Sequence, residues 1–401
     1  MIEPSLPETP SLRDLAGFFL RLGVTAFGGP AAHIAMMEDE VVHRRRWLGR
    51  DQFVDLVGAA NLLPGPSSTE LAIYIGYRQG CWPGLILAGV CFILPAMLIV
   101  AALACAYVRF GSLPQIAGVL FGVKPVIVAI IAQAAWRLGR TAVKSRLTGF
   151  VGLACVVLGL AGVSPLPILF GAGALVATSR VGVVGARGER IQAAGLLLVT
   201  ALLAVLPHLL TSASDEARPV GIASLFLFFL KVGSVVYGSG YVLVAFLRDD
   251  LVAHWHWLTS SQLLDAIAVG QVTPGPVFTT ATFIGYVLKG VSGALVSTVG
   301  IFLPAFLLVM ISGPVIPRIR RSVVAGLFLD GVNVAAVALM AAVAAQLGLT
   351  VVTSSLGIAL ALSSAIALIR FGVGAGWVVV TGAVIGFLAA GPLHLIRGGS
   401  P

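Results

Sequence analysis

Charge is the scarcest property of this sequence. Only 10% of its 401 residues are Asp, Glu, Lys or Arg, where a soluble domain carries about a quarter. That shortage excludes a chain that faces water over its whole surface. Cysteine is as thin: Cys81, Cys91, Cys105 and Cys155 lie in or beside apolar stretches and form no Cys-x-x-Cys. A disulfide framework or a zinc site is therefore not expected, and the four read as small apolar packers. The six histidines are scattered, with no His-x-x-x-His or His-Glu-x-x-His among them, so no metal and no cofactor is expected. An enzyme working at membrane depth would need histidine grouped with carboxylates, and no such group is written here. The first 13 residues, MIEPSLPETPSLR, lack the basic start and apolar run of a cleaved signal peptide. No basic stretch is interleaved with aromatics, so the net charge of +9 does not point to nucleic acid. It is better explained by arginines in loops that stay cytoplasmic.

What fills the chain instead is hydrocarbon. Apolar residues make up 58% and the mean hydropathy is +1.04. Runs such as 85–108 (LILAGVCFILPAMLIVAALACAYV) and 323–346 match the roughly 20 residues that cross a bilayer as a helix. The 48 glycines and 21 prolines are tolerated better in membrane helices than in soluble ones. The chain reads as an all-α polytopic membrane protein.

Shifted by 210 positions, the sequence falls on itself. Residues 18–30 (FFLRLGVTAFGGP) meet 228–240 (FFLKVGSVVYGSG), Asp39 meets Asp249, and Trp47 and Leu48 meet Trp257 and Leu258. Gln52 meets Gln262, Asp55 meets Asp265, and Pro64-Gly65-Pro66 meets Pro274-Gly275-Pro276. After a one-residue slip, Ile75-Gly76-Tyr77 meets Ile284-Gly285-Tyr286, and GVKPVIVAI from Gly122 meets GVNVAAVAL from Gly331. The expected organisation is a first repeat over 12–184, a linker over 185–219 carrying one extra transmembrane helix near 191–211, and a second repeat over 220–396.

Each half holds six apolar segments: 14–37, 52–77, 81–108, 114–136, 147–163 and 165–179, then 222–247, 262–287, 291–313, 322–348, 351–369 and 371–395. With the extra segment between them, an odd number of crossings separates equivalent points, which turns the halves upside down relative to each other. Inverted repeats are a transporter signature, with the substrate held at the repeat interface. If every segment crosses, Arg44, Arg45, Arg46 and Arg50 fall outside, against the positive-inside rule. Letting 14–37, 52–77, 222–247 and 262–287 dip in and return moves these arginines inside. The expected fold is two inverted-topology repeats with paired Gly/Pro-broken re-entrant helical hairpins.

Arg21 and Lys231 occupy one repeat position inside apolar runs. A cation at that depth is costly unless it is paired or faces water, so the pair reads as an anion site, against a reading in which each reaches the interface. Gly28, Gly29 and Pro30 follow Arg21, and Gly238 and Gly240 follow Lys231. Such breaks expose backbone N–H groups where anions bind. Pro64, Gly65 and Pro66, with Pro274, Gly275 and Pro276, break the chain again, because proline lacks a donor and restricts its neighbour. Ser67, Ser68, Thr69, Thr279 and Thr280 beside the breaks can cap helices or donate hydroxyls, and Asn61 and Gln271 flank them. Glu70, opposite Thr280 in the repeat, reads equally as a proton carrier and as a partner for Arg21 or Arg78. Lys124, opposite Asn333, reads equally as a third element of the anion path and as a lysine reaching the interface. Asp55 and Asp265 read as ordinary interfacial residues. Glu38, Asp39 and Glu40 are expected to pair with Arg44–Arg46, and Asp249 and Asp250 with Arg248.

The residues FGGP at 27–30 with the acidic Glu38-Asp39-Glu40, LPGP at 63–66 followed by IGY, and the degenerate YGSGY at 237–241 with TPGP at 273–276 resemble the chromate ion transporter family. They resemble its long, two-domain members, over about 12–394. The resemblance implies a multi-pass carrier of the bacterial inner membrane that exports chromate, coupled to the proton gradient, with sulfate or another oxyanion as the competing substrate. Its partners are then a tetrahedral dianion and the lipid bilayer, with no nucleic acid; a homodimer stays open. Carried over residue by residue, the family motif falls on Arg21, Gly28, Gly29, Pro30, Pro64, Gly65, Pro66, Lys231, Gly238, Gly240, Pro274, Gly275 and Pro276. The departure is Glu70, where glutamine is common in the family, so a role for Glu70 would belong to this protein and not to the family at large.

Overall fold

The computed structural model describes residues 10–111, 113–184, 219–237, 240, 242–312 and 322–397, and every described element is helical. In the first half these are α1 (Leu12–Thr25), α2 (Gly29–Glu38), a π-helical segment (Asp39–Arg44), α3 (Arg50–Ala60), α4 (Ser67–Phe110), α5 (Pro114–Ala142), α6 (Arg146–Leu160) and α7 (Pro165–Val184). In the second they are α8 (Ile222–Val235), α9 (Leu243–Phe246), a π-helical segment (Leu247–His254), α10 (Ser260–Val272), a 3₁₀ turn (Val277–Thr279), α11 (Thr280–Ser312), α12 (Val323–Val351), α13 (Ser355–Arg370) and α14 (Ala375–Arg397). The segment expected near 191–211 and the candidate Gly238 lie outside the described residues.

These elements gather in two compact units that cut across the repeats. The first draws on Met1–Cys105, Gly221–Gly240 and Val269–Ile316; the second on Ala106–Val220, Tyr241–Ala268 and Pro317–Pro401. Each unit therefore draws on both halves, though 241–268 belongs to the second unit while its repeat equivalent, 31–58, belongs to the first.

In the first unit the duplication is legible side chain by side chain. Ser11 caps α1 through a reciprocal bond with Asp14, a capping box. α1 then buries Leu15, Phe18, Phe19 and Leu22, one stripe at helical spacing. α8 buries Leu225, Phe228, Phe229 and Val232, the same four repeat positions. α4 is broken at Gly80 and Cys81, whose φ angles are −139° and 48°. α11 breaks at the matching Lys289 and Gly290, at −143° and 62°. Each break folds the helix back on itself: a Cβ on Gly76 would lie 2.3 Å from the Gly84 carbonyl, and one on Gly285 2.2 Å from that of Gly293. In a straight helix such pairs stand about 12 Å apart, so only glycine permits this approach. The one-residue slip of the repeat falls at the start of these helices. The second copy takes a 3₁₀ turn where the first is α-helical, and a 3₁₀ turn uses fewer residues.

In the second unit α12 packs on α5, α6 and α7, while α5 packs on α13 and α14. Small residues let these helices approach: a Cβ on Gly122 would lie 2.0 Å from the Gly382 carbonyl, and one on Gly331 2.4 Å from the Ala172 carbonyl. Close backbone contact of this kind is how membrane helices associate when lipid offers no hydrophobic drive.

Among the described residues, four stretches are long and apolar enough to cross a bilayer: Ser67–Phe110, Ile116–Ala142, Val277–Ser312 and Val323–Thr350. The chain is a multi-pass membrane protein. Shorter apolar stretches lie at Arg146–Leu160, Pro165–Ser179, Ile222–Val235, Ser355–Arg370 and Ala375–Ala389.

Candidate anion site

Both Pro-Gly-Pro breaks lie in the first unit, and each is tied to the opposite repeat. The Gly65 amide donates to the Val236 carbonyl at 2.7 Å, and the Gly275 amide donates to the Ala26 carbonyl at 2.9 Å. Ala26 and Val236 are themselves equivalent: each ends the first helix of its repeat in an extended conformation. Gly65 and Gly275 have φ of +138° and +87°, which disfavour any residue with a Cβ. The tips thus exchange bonds crosswise between the halves. Gly28 and Gly29 open α2 with φ of +102° and +77°, and Gly240 has +81°. Pro30 sits in the first turn of α2, where its missing donor costs nothing.

The hydroxyls beside the tips are largely committed. Thr279 donates to the Pro276 carbonyl and Thr280 to the Val277 carbonyl, both at 2.8 Å. Ser68 Oγ lies 3.2 Å from His33 Nδ1, and His33 Nε2 lies 3.2 Å from the Ala26 carbonyl. Thr69 is fully buried and its hydroxyl has no partner. Ser67 is buried, Gln271 half-buried and Asn61 exposed at the end of α3.

Glu70 is fully buried, and neither carboxylate oxygen has a hydrogen-bond partner. Neither Arg21 nor Arg78 reaches it. Its Oε1 lies 2.5 Å from where a Cβ on Gly65 would sit, so the carboxyl rests directly against the first tip. Tyr74 on the same helix and Tyr237 from the second repeat lie within its electrostatic reach.

Arg21 and Lys231 are exposed, on the faces of α1 and α8 away from the buried stripe. Arg21 lines a cavity of about 240 Å³ with Thr25, Met36, Asp39, Glu40 and Arg44 among its walls; Lys231 is not among the lining residues. Arg44 pairs with Asp39 at 2.8 Å and Arg45 with Glu40 at 2.7 Å, as their spacing predicts. Asp249 also lies 3.6 Å from His254. Lys124 belongs to the second unit. Its Nζ donates to Ser261 Oγ at 2.6 Å and stands 3.4 Å from Asp265, which also accepts from Tyr107 at 3.0 Å. Asp265, read from sequence as an ordinary interfacial residue, is the buried counter-charge of Lys124.

Sequence reasoning missed His33 and the Lys124–Asp265 pair. The one available signal for His33 was a lone histidine three residues past Pro30, in an apolar run.

A family model of chromate transporters matches the chain twice, over residues 13–178 and 223–387. The chain is 36% identical to the chromate transport protein of Cupriavidus metallidurans over 331 residues, 82% of this chain and 80% of that one. It is 33% identical to the probable chromate transport protein of Synechococcus elongatus over 341 residues, 84% of this chain and 85% of that one. With the chromate transport protein of Pseudomonas aeruginosa it shares 32% identity over 347 residues, 84% of this chain and 81% of that one. No solved structure matches the chain. Two matches in tandem, over the halves that repeat one another, place it among transporters and not enzymes: the chain belongs to the chromate transporter family.

Proposed function

We propose that the protein is a secondary transporter that exports chromate across the bacterial inner membrane, coupled to the proton gradient. The anion is held where the broken helices of two inverted repeats, 12–184 and 220–396, meet. The observation that carries this reading is the crosswise exchange, Gly65 to Val236 and Gly275 to Ala26. A reciprocal pair is what a two-fold relation between inverted halves produces. The Pro-Gly-Pro breaks at 64–66 and 274–276, midway along 52–77 and 262–287, support hairpins that dip into the membrane and return.

The exchange also suggests how binding links to movement. A dianion that replaces the Val236 and Ala26 carbonyls trades two neutral bonds for charge-assisted ones, which are roughly twice as strong. Making that trade separates the tip of each repeat from the other, which is the rearrangement alternating access requires. Arg21 and Lys231 supply positive charge to the approach. Glu70, buried against the first tip without a protein partner, is the group placed to bind and release the coupled proton. Chromate and sulfate are both tetrahedral dianions, so the donors described select charge and shape before identity.

Labelled chromate accumulation in everted vesicles, with and without a proton gradient and with excess sulfate, tests this function. Gradient-dependent chromate accumulation that excess sulfate suppresses is expected. Sulfate accumulation without chromate accumulation, in vesicles holding inserted protein, would transfer the carrier to the other dianion.

A further inference from the structure

We infer that His33 is a positioning residue for transport: it clamps both Pro-Gly-Pro tips to the end of α1. The inference rests on the reading that the tips form the anion site. His33 is 1% exposed and stands edge-on to the Phe92 ring, 5.5 Å between centroids at 90°. Its Nε2 faces the Ala26 carbonyl at 3.2 Å. A carbonyl only accepts, so Nε2 carries the hydrogen, and in the neutral ring Nδ1 is then the acceptor. The Ser68 hydroxyl, 3.2 Å from Nδ1, is thereby the donor.

Two consequences follow. The Ala26 carbonyl receives two donors, His33 Nε2–H and the Gly275 amide, and so joins the second tip to α2. Ser68 lies two residues past Pro66, so its bond joins the first tip to the same ring. One side chain therefore holds both tips in register. Its hold is one-sided, because the equivalent position in the second half is Leu243, which can neither donate nor accept.

The test uses His33→Leu, which installs the second repeat's residue, and His33→Gln, whose amide keeps one donor and one acceptor. Chromate uptake into everted vesicles is measured for KM and Vmax at matched amounts of inserted protein. Thermal unfolding in detergent is followed alongside. His33→Leu is expected to raise KM about tenfold, the scale of one or two buried hydrogen bonds, and His33→Gln to recover to within about threefold. Ser68→Ala on its own is expected to raise KM, and combined with His33→Leu to add little, because both remove one bond. An unchanged KM in His33→Leu, or effects of His33→Leu and Ser68→Ala that multiply independently, overturns the clamp. A merely structural role would lower the unfolding temperature of His33→Leu while leaving KM unmoved. If neither tip glycine variants nor Arg21→Gln alter KM, the site reading itself has failed; if they do and His33→Leu is silent, only this inference has.

Discussion

Lys124 and Asp265 stand 3.4 Å apart in the second unit; the ammonium donates to Ser261 Oγ, and the Tyr107 hydroxyl donates to the carboxylate. The pair joins α5 to α10, and Asp265 is 3% exposed. Removing one member of a buried pair leaves an uncompensated charge, at a cost of about 3 kcal/mol. Asp265→Asn is therefore expected to lower stability by about that amount, and adding Lys124→Gln to recover at least half of it. Unfolding in detergent, followed by circular dichroism, reads both. A single variant as stable as the parent would contradict the pairing.

Arg21→Gln and Lys231→Gln address the anion directly. Each is expected to raise the KM for chromate about tenfold, since hydrogen bonds to charged groups are worth roughly 1.5–3 kcal/mol. Both residues are exposed, so insertion into the membrane is expected to be unaffected. Transport by the double variant with an unaltered KM would remove both residues from the site.

Glu70→Gln separates coupling from carriage. Because both Glu70 oxygens are buried without partners, the neutral amide fits the same space and leaves no charge to satisfy. Chromate exchange between the two sides is expected to persist while gradient-driven accumulation is lost. Accumulation by Glu70→Gln that still collapses with an uncoupler would exclude this carboxyl as the proton's carrier.

The hairpin topology makes a prediction about sides. With the native cysteines replaced, single cysteines are placed at His43 and Arg109, both exposed. An impermeant thiol reagent outside the cell is expected to reach position 109 and not position 43. External labelling at 43 would mean that residues 14–37 cross the membrane.

Much of the first unit was legible in the sequence because its features are local. The segment boundaries at 77/81 and 287/291 anticipate the breaks at Gly80–Cys81 and Lys289–Gly290, and the Pro-Gly-Pro pairs mark the tips. The shared buried stripe of α1 and α8 follows from periodicity. Charges five residues apart, Glu40 with Arg45 and Asp39 with Arg44, were also within reach of sequence reasoning. The partners that join distant segments were not. Ser68 meets a histidine 35 positions away, and Lys124 meets a carboxylate more than 140 positions on. No local pattern encodes such contacts; only the packing of broken helices brings them together. The repeat indicated that Gly65 and Gly275 are equivalent, but not that each bonds the other half.

If the crossed tips are the transport machinery, two glycines of like backbone conformation but different surroundings respond differently to a Cβ. Gly275→Ala places a Cβ at φ +87°, 2.6 Å from the Ala96 side chain and 3.2 Å from the Gly23 carbonyl; Gly162→Ala places one at φ +84° with nothing within 4 Å. Both carry the same backbone strain, about 1–2 kcal/mol, but only the first disturbs the crossing. Chromate uptake is measured in everted vesicles holding equal amounts of each. Loss of at least about tenfold in Gly275→Ala, beside near-parental uptake in Gly162→Ala, is the predicted result. Equal uptake by the two variants would contradict it.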